Sequence, residues 1–421
     1  MKLRDFLLPA LCVASLMPAM AAAQTISTVA GNGGNGNTGD GGQATSAQVS
    51  QPTAIAPIPG GGYYIASPFL IRKVDIDGII STVAGNGSAG NSGDGGPAAD
   101  AKLGFYIHSL KLAPDGSLYL TDSSNHRIRK IGVDGIIVTV AGTGTGWYSG
   151  DGGPAVDASI RNPAGLELDA NGHLYISDSF NCRVRKVDGS GLISTVIGTG
   201  TCTSTGDGGS ALSATLSYPW HLRFDSVGNL FVVDQGGHKV RRVTTDGNFS
   251  TFAGTGTDGY SGDGGLAIDA NLSIPTGLDF DAAGNLYVTV YGSHRIRKIT
   301  PGGRITSPIG NGTYAFSGDG GPAAAAAIGG VMGIAITDGR MYLAQRDFHR
   351  VRVVEVDETP EPDTTCAISG YTGTKLTWCQ NICEKGYTGA TLDMWIHRWV
   401  NRYRDLPYCG LGEEEGPPQE G

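Results

Sequence analysis

From Ile26 to Val356, short runs of Val, Ile, Leu, Phe and Tyr alternate with polar residues and are cut by glycine-rich punctuation. The stretch that begins at Gly165 is representative: Gly165-Leu-Glu-Leu-Asp169, Leu174-Tyr-Ile-Ser-Asp178, Arg183-Val-Arg-Lys-Val187 and Leu192-Ile-Ser-Thr-Val-Ile197. Each run has the length and composition of a strand, and period-two alternation puts one set of side chains on a buried face. Asx-Gly or Gly-Asn pairs separate the first run from the second (Asp115-Gly116, Asn171-Gly172, Gly284-Asn285). Similar pairs separate the third from the fourth (Asp77-Gly78, Asp134-Gly135, Asp246-Gly247). They supply the positive φ that a tight hairpin needs. A longer loop, carrying Ser-Asn-His126 or its equivalent, joins the second run to the third.

The unit recurs. A Gly-Asp-Gly-Gly core stands at Asp40, Asp94, Asp151, Asp207, Asp263 and Asp319, at spacings of 54, 57, 56, 56 and 56 residues. Four antiparallel strands repeated six times predict an all-β chain, a six-bladed β-propeller of four-stranded blades. A β-helix has much shorter rungs and no paired hairpin turns. The chain opens with Ile26-Ser-Thr-Val-Ala-Gly31, the match of the fourth run Ile80-Ser-Thr-Val-Ala-Gly85, while the sixth unit ends after Arg350-Val-Arg-Val-Val-Glu-Val356 without one. The N-terminal strand is therefore expected to complete the last blade, which removes an open sheet edge.

The flanks read differently. Residues 1–23 have a basic start (Lys2, Arg4), an apolar run from Phe6 to Met17 and Ala21-Ala22-Ala23 before Gln24, the form of a signal peptide. The run is too short to span a bilayer, and no later segment is long and apolar enough for a membrane helix. Export is the expectation, with a secreted, periplasmic or cell-surface location. After the propeller (24–357) come an acidic Pro-containing linker (358–365) and a Cys-rich module (366–409). An acidic tail (410–421) is expected to be disordered. In the module Leu392, Trp395, Ile396, Trp399, Val400 and Tyr403 fall at helical spacing and predict one amphipathic helix.

Glycine makes up 68 of 421 residues, and its confinement to period-spaced positions marks turns rather than disorder. The net charge is −9, so the chain lacks the field that attracts phosphate backbones and nucleic acid is an unsuitable partner. Six cysteines remain after Gln24, and in an exported chain disulfides are the default. Cys182 and Cys202 sit in loops expected on one face and can bond to each other. Cys366, Cys379, Cys383 and Cys409 allow three pairings. If Lys375 to Glu384 is helical, Cys379 and Cys383 lie one turn apart and each bonds outward, to Cys366 and Cys409. Zinc at the tail cysteines is the alternative.

Leu118-Tyr-Leu-Thr-Asp122 followed by Asn125-His-Arg-Ile128 resembles an NHL repeat. The added Gly-Asp-Gly-Gly-Pro-Ala segment is similar to the NHL variety of bacterial secreted proteins and of the teneurin propeller. The likeness covers about residues 25 to 357. It implies the propeller fold and a binding or interaction role, with a minority of metal-dependent lyases or lactonases in the family. Ser67, Val290 and Gln345 replace the aspartates seen at 122, 178 and 234, which makes those aspartates dispensable strand-end hydrogen-bonding residues.

Calcium at the Gly-Asp-Gly-Gly loops would have one carboxylate per loop, thin coordination, so the six aspartates are assigned a structural role in turns. The recurrent Arg-x-Arg-Lys strands are expected to pair with these aspartates as exposed ion pairs of little individual worth. His126, His238, His294 and His349 share one position with Cys182 and Phe69, which points to loop packing. Residues that break the period carry more information. Just before the innermost strands, at the expected channel mouth, stand Thr53, His108, Ala164, Trp220, Thr276 and Met332. His108, Trp220 and the adjacent His221 are off-pattern and form the candidate ligand site, where an indole could stack on a planar ligand. No catalytic residue is singled out, and only His108 and His221 approach a metal-ligating position where three ligands are usual. The expectation is a monomeric, non-enzymatic binding protein with a protein or glycan partner and no cofactor. A lyase or lactonase and a structural envelope component are the alternatives.

Overall fold

The structure is a computed structural model that describes residues 24–356. The expected leader, the linker, the cysteine module with Cys366, Cys379, Cys383 and Cys409, and the acidic tail lie outside the described residues.

Six antiparallel four-stranded sheets follow one another along the chain and form a six-bladed propeller. Blade one contains Ala54–Pro57, Tyr63–Ser67, Leu70–Val74 and Ile80–Ala84, from the axis outward. The innermost strands of blades two to six are Leu110–Leu112, Leu166–Leu168, Pro219–Phe224, Pro275–Phe280 and Val331–Thr337. Neighbouring innermost strands touch all the way round the axis, including blade six against blade one. The outermost strand of blade six is Ile26–Ala30, paired antiparallel with Arg350–Glu355 in the register Ile26 to Val354 and Thr28 to Arg352. Burial follows the alternation. Between blades three and four, Val184, Ile197, Leu216, Leu222, Val232 and Phe249 form one apolar cluster, and similar clusters fill the other blade junctions.

Each Gly-Asp-Gly-Gly segment belongs to the connector that leaves the outer strand of one blade and crosses to the next. On the way it lies along the outer strand of the blade it is about to enter. Gly41 N–H donates to the Ile80 carbonyl at 2.8 Å, and Ile80 N–H donates to the Gly42 carbonyl at 3.0 Å. In blades two and four this contact is regular enough to form a short fifth strand, Gly96–Pro97 and Gly209–Ser210. The connector thus shields an edge that would otherwise present unpaired backbone groups. Where each outer strand turns into its connector, glycine is required. Gly142 has φ +95°, and a Cβ there would sit 2.4 Å from the His126 carbonyl oxygen. The same close approach recurs at Gly31, Gly85, Gly198, Gly254 and Gly310.

Candidate functional site

The periodic charged residues are structural, and their burial corrects one expectation. Arg72, Arg129, Arg185, Arg241, Arg297 and Arg352, one on the third strand of each blade, are fully buried instead of forming exposed pairs. Each reaches the aspartate of its own connector: Asp40, Asp94, Asp151, Asp207, Asp263 and Asp319 in order. The same carboxylates also bind the outer strand, as in Thr139 Oγ1 to Asp94 at 2.7 Å and Thr251 Oγ1 to Asp207 at 2.8 Å. In blades two to four the arginine gains a second, buried partner, Asp122, Asp178 or Asp234. Those three also accept backbone N–H groups of the preceding connector, for example Gly104 N–H to Asp122 at 2.8 Å. The aspartate–arginine units therefore fasten connector, third strand and fourth strand together.

The shared histidine position fastens one blade to the next. All six of its occupants, Phe69, His126, Cys182, His238, His294 and His349, are left-handed, with φ from 53 to 67°. Nδ1 of His126 accepts the N–H of Asn162 at 3.1 Å; His238 accepts that of Ile274 at 3.3 Å and His349 that of Gln51 at 3.1 Å. At the junction of blades three and four the histidine is replaced by Cys182, which is disulfide-bonded to Cys202 with a Cα–Cα distance of 5.3 Å.

The off-pattern residues close the loop end of the channel. Thr53, His108, Ala164, Trp220, Thr276 and Met332 are all buried. Trp220 and His108 lie ring to ring at 4.7 Å, and His108 stacks on Tyr106 at 5.3 Å. Thr53 Oγ1 donates to the Ile107 carbonyl at 2.5 Å, and Thr276 shares a 2.8 Å hydrogen bond with Thr289. Burial, with smaller repulsion from His221 and Arg346, pushes the His108 imidazole down to about 3, so it is neutral. Its Nδ1 has no partner among the described residues. Nε2 of His221 lies 3.0 Å from the His108 carbonyl, and burial lowers this imidazole as well. Outward from this plug, aromatic rings continue onto the surface. Phe105 meets Phe69 and Tyr106 edge-on at 5.5 and 4.8 Å, and Phe180 meets Tyr218 at 5.5 Å. Phe105, Tyr106, Phe180 and Tyr218 are exposed by 37, 39, 43 and 41%.

The other end of the channel holds residues that the sequence reading passed over. A cavity of about 180 Å³ lies among the innermost strands, bounded by Ser109 and His221 toward the plug and by Pro57, Leu112 and Thr337 toward the hairpins. At one repeat position, blades two to five carry Lys111, Glu167, Arg223 and Asp279, of alternating sign. Lys111 Nζ pairs with Glu167 Oε1. Arg223 Nη1 lies 3.0 Å from Glu167 Oε2 and its Nε 2.7 Å from Asp279 Oδ1. Asp279 Oδ2 accepts the Ile336 N–H at 2.8 Å. Burial opposes the charge of Glu167, but Arg223 and Lys111 outweigh it and hold the carboxyl below its usual range. Burial and the Arg223 charge push the Lys111 ammonium down. The signal was available in the chain: the four charges are 56 residues apart, each inside an otherwise apolar run.

A family model for the teneurin NHL domain matches residues 144–205. This segment contains Asp151, Asp178 and Arg185 and both bonded cysteines. Teneurin-m of Drosophila melanogaster is 28% identical over 351 residues, covering 74% of this chain and 12% of that protein. Teneurin-1 of Homo sapiens is 26% identical over 346 residues, covering 59% and 12%. The chain is a six-bladed β-propeller similar to the teneurin NHL domain. The chain spans about an eighth of the length of these relatives. A structural-genomics protein of unknown function from Bacteroides thetaiotaomicron superposes on the propeller with a TM-score of 0.59 at 18% identity, covering 80% of this chain and 76% of that one. An auxiliary nutrient binding protein from the same organism gives 0.58 at 17%, covering 79% and 76%. At these identities the structural likeness establishes the fold.

Proposed function

We propose that the chain is an exported binding protein whose propeller presents its loop face to a protein or glycan partner. One observation carries the reading: Phe105, Tyr106, Phe180 and Tyr218 stand partly exposed on that face, on loops held by backbone and ring contacts. Rigid aromatic rings lose little conformational entropy on binding and dominate contact energies in protein interfaces, and they also stack on sugar rings. The two ring pairs, Phe105–Tyr106 and Phe180–Tyr218, put exposed apolar surface on this one face. The basic and apolar start of the chain and the Cys182–Cys202 disulfide support export. Trp220, His108, Thr53, Thr276 and Met332 serve as the floor of this face, behind the rings that would touch the partner.

Among the described residues, no group of three or more His, Cys, Asp or Glu side chains is arranged to hold a metal. The test compares the full chain with a Phe105→Ala, Tyr106→Ala, Phe180→Ala, Tyr218→Ala variant on a glycan array and in capture from an extracellular extract of its source. Loss of the captured partner or glycan from the variant alone, with an unchanged unfolding midpoint, supports the reading. Equal capture by both proteins rules the loop face out.

A further inference from the structure

The hairpin-end cavity has two unlike halves. Blades two to five contribute Lys111, Glu167, Arg223 and Asp279; at the same repeat position blades six and one contribute Ala335 and Ile55. Within the charged half the two signs are not equally available. The carboxylates of Glu167 and Asp279 are 4 and 5% exposed and already accept the cations and the N–H groups of Leu168, Phe280 and Ile336. Lys111 and Arg223 keep 23 and 31% of their side-chain surface exposed, and both line the lumen. Neither is saturated. An ammonium has three donors and a guanidinium five, and Arg223 Nη2 makes no hydrogen bond among the described residues. The lumen therefore offers unused cationic donors on one side and aliphatic surface on the other, in a space of about 180 Å³. That is the size of a compound of six to ten heavy atoms, roughly six waters at ~30 Å³ each. A charge-assisted contact to an anion is about twice as strong as a neutral hydrogen bond.

We infer that this cavity is a binding site for a small monocarboxylate with a branched aliphatic end, the carboxylate meeting Arg223 and Lys111 and the alkyl group resting against Ile55 and Ala335. The site is separate from the loop face, because the buried layer of His108, Trp220 and Met332 lies between them. The hairpin end is its entrance: Leu112, Leu168, Phe224, Phe280 and Thr337 are partly exposed there.

The test titrates the full chain with sodium 3-methylbutanoate by calorimetry and by ligand-observed NMR. The neutral isostere 3-methylbutanamide and inorganic phosphate are the comparison probes. The expected result is saturable 1:1 binding of the carboxylate, at least tenfold weaker binding of the amide, and weaker binding of phosphate. Ala335→Phe places a ring in the lumen and should abolish the binding; because Ala335 is also packed against Tyr342 in the core between blades six and one, its fold is checked by circular dichroism. Arg223→Gln should weaken it at least tenfold; because this variant disturbs Glu167 and Asp279, its fold is checked by circular dichroism. No saturable binding of 3-methylbutanoate, equal affinity for the amide or for phosphate, or undiminished binding by a folded Ala335→Phe would each overturn the inference.

Discussion

Arg241 and Arg297 occupy the same repeat position in blades four and five, yet their removal should cost different amounts. The Arg241 guanidinium, fully buried, donates to Asp234 Oδ2 at 3.2 Å, to Ser204 Oγ at 3.0 Å and to Asp207 Oδ1 at 2.7 Å. Asp234 is itself fully buried, and burial raises its carboxyl against the lowering influence of Ser204, Ser217 N–H and Arg241. Arg297 donates to Asp263 at 2.8 Å and to the carbonyls of Ser261 and Asn271 at 2.9 and 3.2 Å, and Val290 stands where Asp234 stands. Arg241→Met thus strands a buried carboxylate, which costs about 3–5 kcal/mol. Arg297→Met removes charge-assisted hydrogen bonds to a partly exposed carboxylate, about 1.5–3 kcal/mol. Asp234→Asn keeps an oxygen for the Ser217 N–H, 2.6 Å away, but removes the charge, so the double variant Asp234→Asn, Arg241→Met should be more stable than Arg241→Met alone by about 1–2 kcal/mol. Urea unfolding followed by tryptophan fluorescence and circular dichroism gives the comparison, provided the denaturant slope is unchanged. A cost for Arg297→Met equal to or above that for Arg241→Met, or no rescue by Asp234→Asn, refutes the assignment of Asp234 as a buried charge held by Arg241.

The neutral His108 sets a pH dependence. Its folded value of about 3 lies below the unfolded 6.5, so between these limits the unfolded chain binds more protons and stability rises with pH. His108→Phe should flatten the stability profile from pH 3.5 to 6.5 by up to ~1.4 kcal/mol per pH unit, and a profile parallel to the parent's contradicts the buried neutral imidazole. Reduction of the Cys182–Cys202 bond, which spans 20 residues, should lower stability by about 3 kcal/mol on the chain-entropy view. Cys182→His with Cys202→Ser restores the residue that four other blades use and should recover part of that loss, read as the midpoint shift in urea. Deletion of residues 24–30 exposes the edge of Arg350–Glu355 and should produce concentration-dependent aggregation in light scattering; a monodisperse, cooperatively unfolding product would show that ring closure is dispensable.

The blade count and the strand phasing were legible because period-two alternation, Asx-Gly turns and a six-times-repeated connector all point to one architecture. Gly142 and its equivalents are readable for the same reason: only glycine tolerates that backbone and that close carbonyl. Arg129 was misjudged because alternation marks which face a residue is on, while a guanidinium on the inner face looks like an error unless its partners can be placed. Those partners, Asp94 and Asp122, are 35 and 7 residues away and converge only when the connector lies along the next blade. Trp220 and His108 were visible as breaks in the period, but their burial against each other depends on two blades 112 residues apart meeting at the axis. The row Lys111, Glu167, Arg223, Asp279 was visible in the sequence at the repeat spacing. Its meaning depends on knowing that those four positions face a common lumen.

The loop face is the central functional claim, and hydrogen–deuterium exchange of the full chain with its captured partner tests it most directly. Protection is predicted in the segments around Phe105-Tyr106, Phe180 and Tyr218. Protection confined to the hairpin turns around Ile76, Val133 and Val227, on the opposite face of the ring, would contradict it.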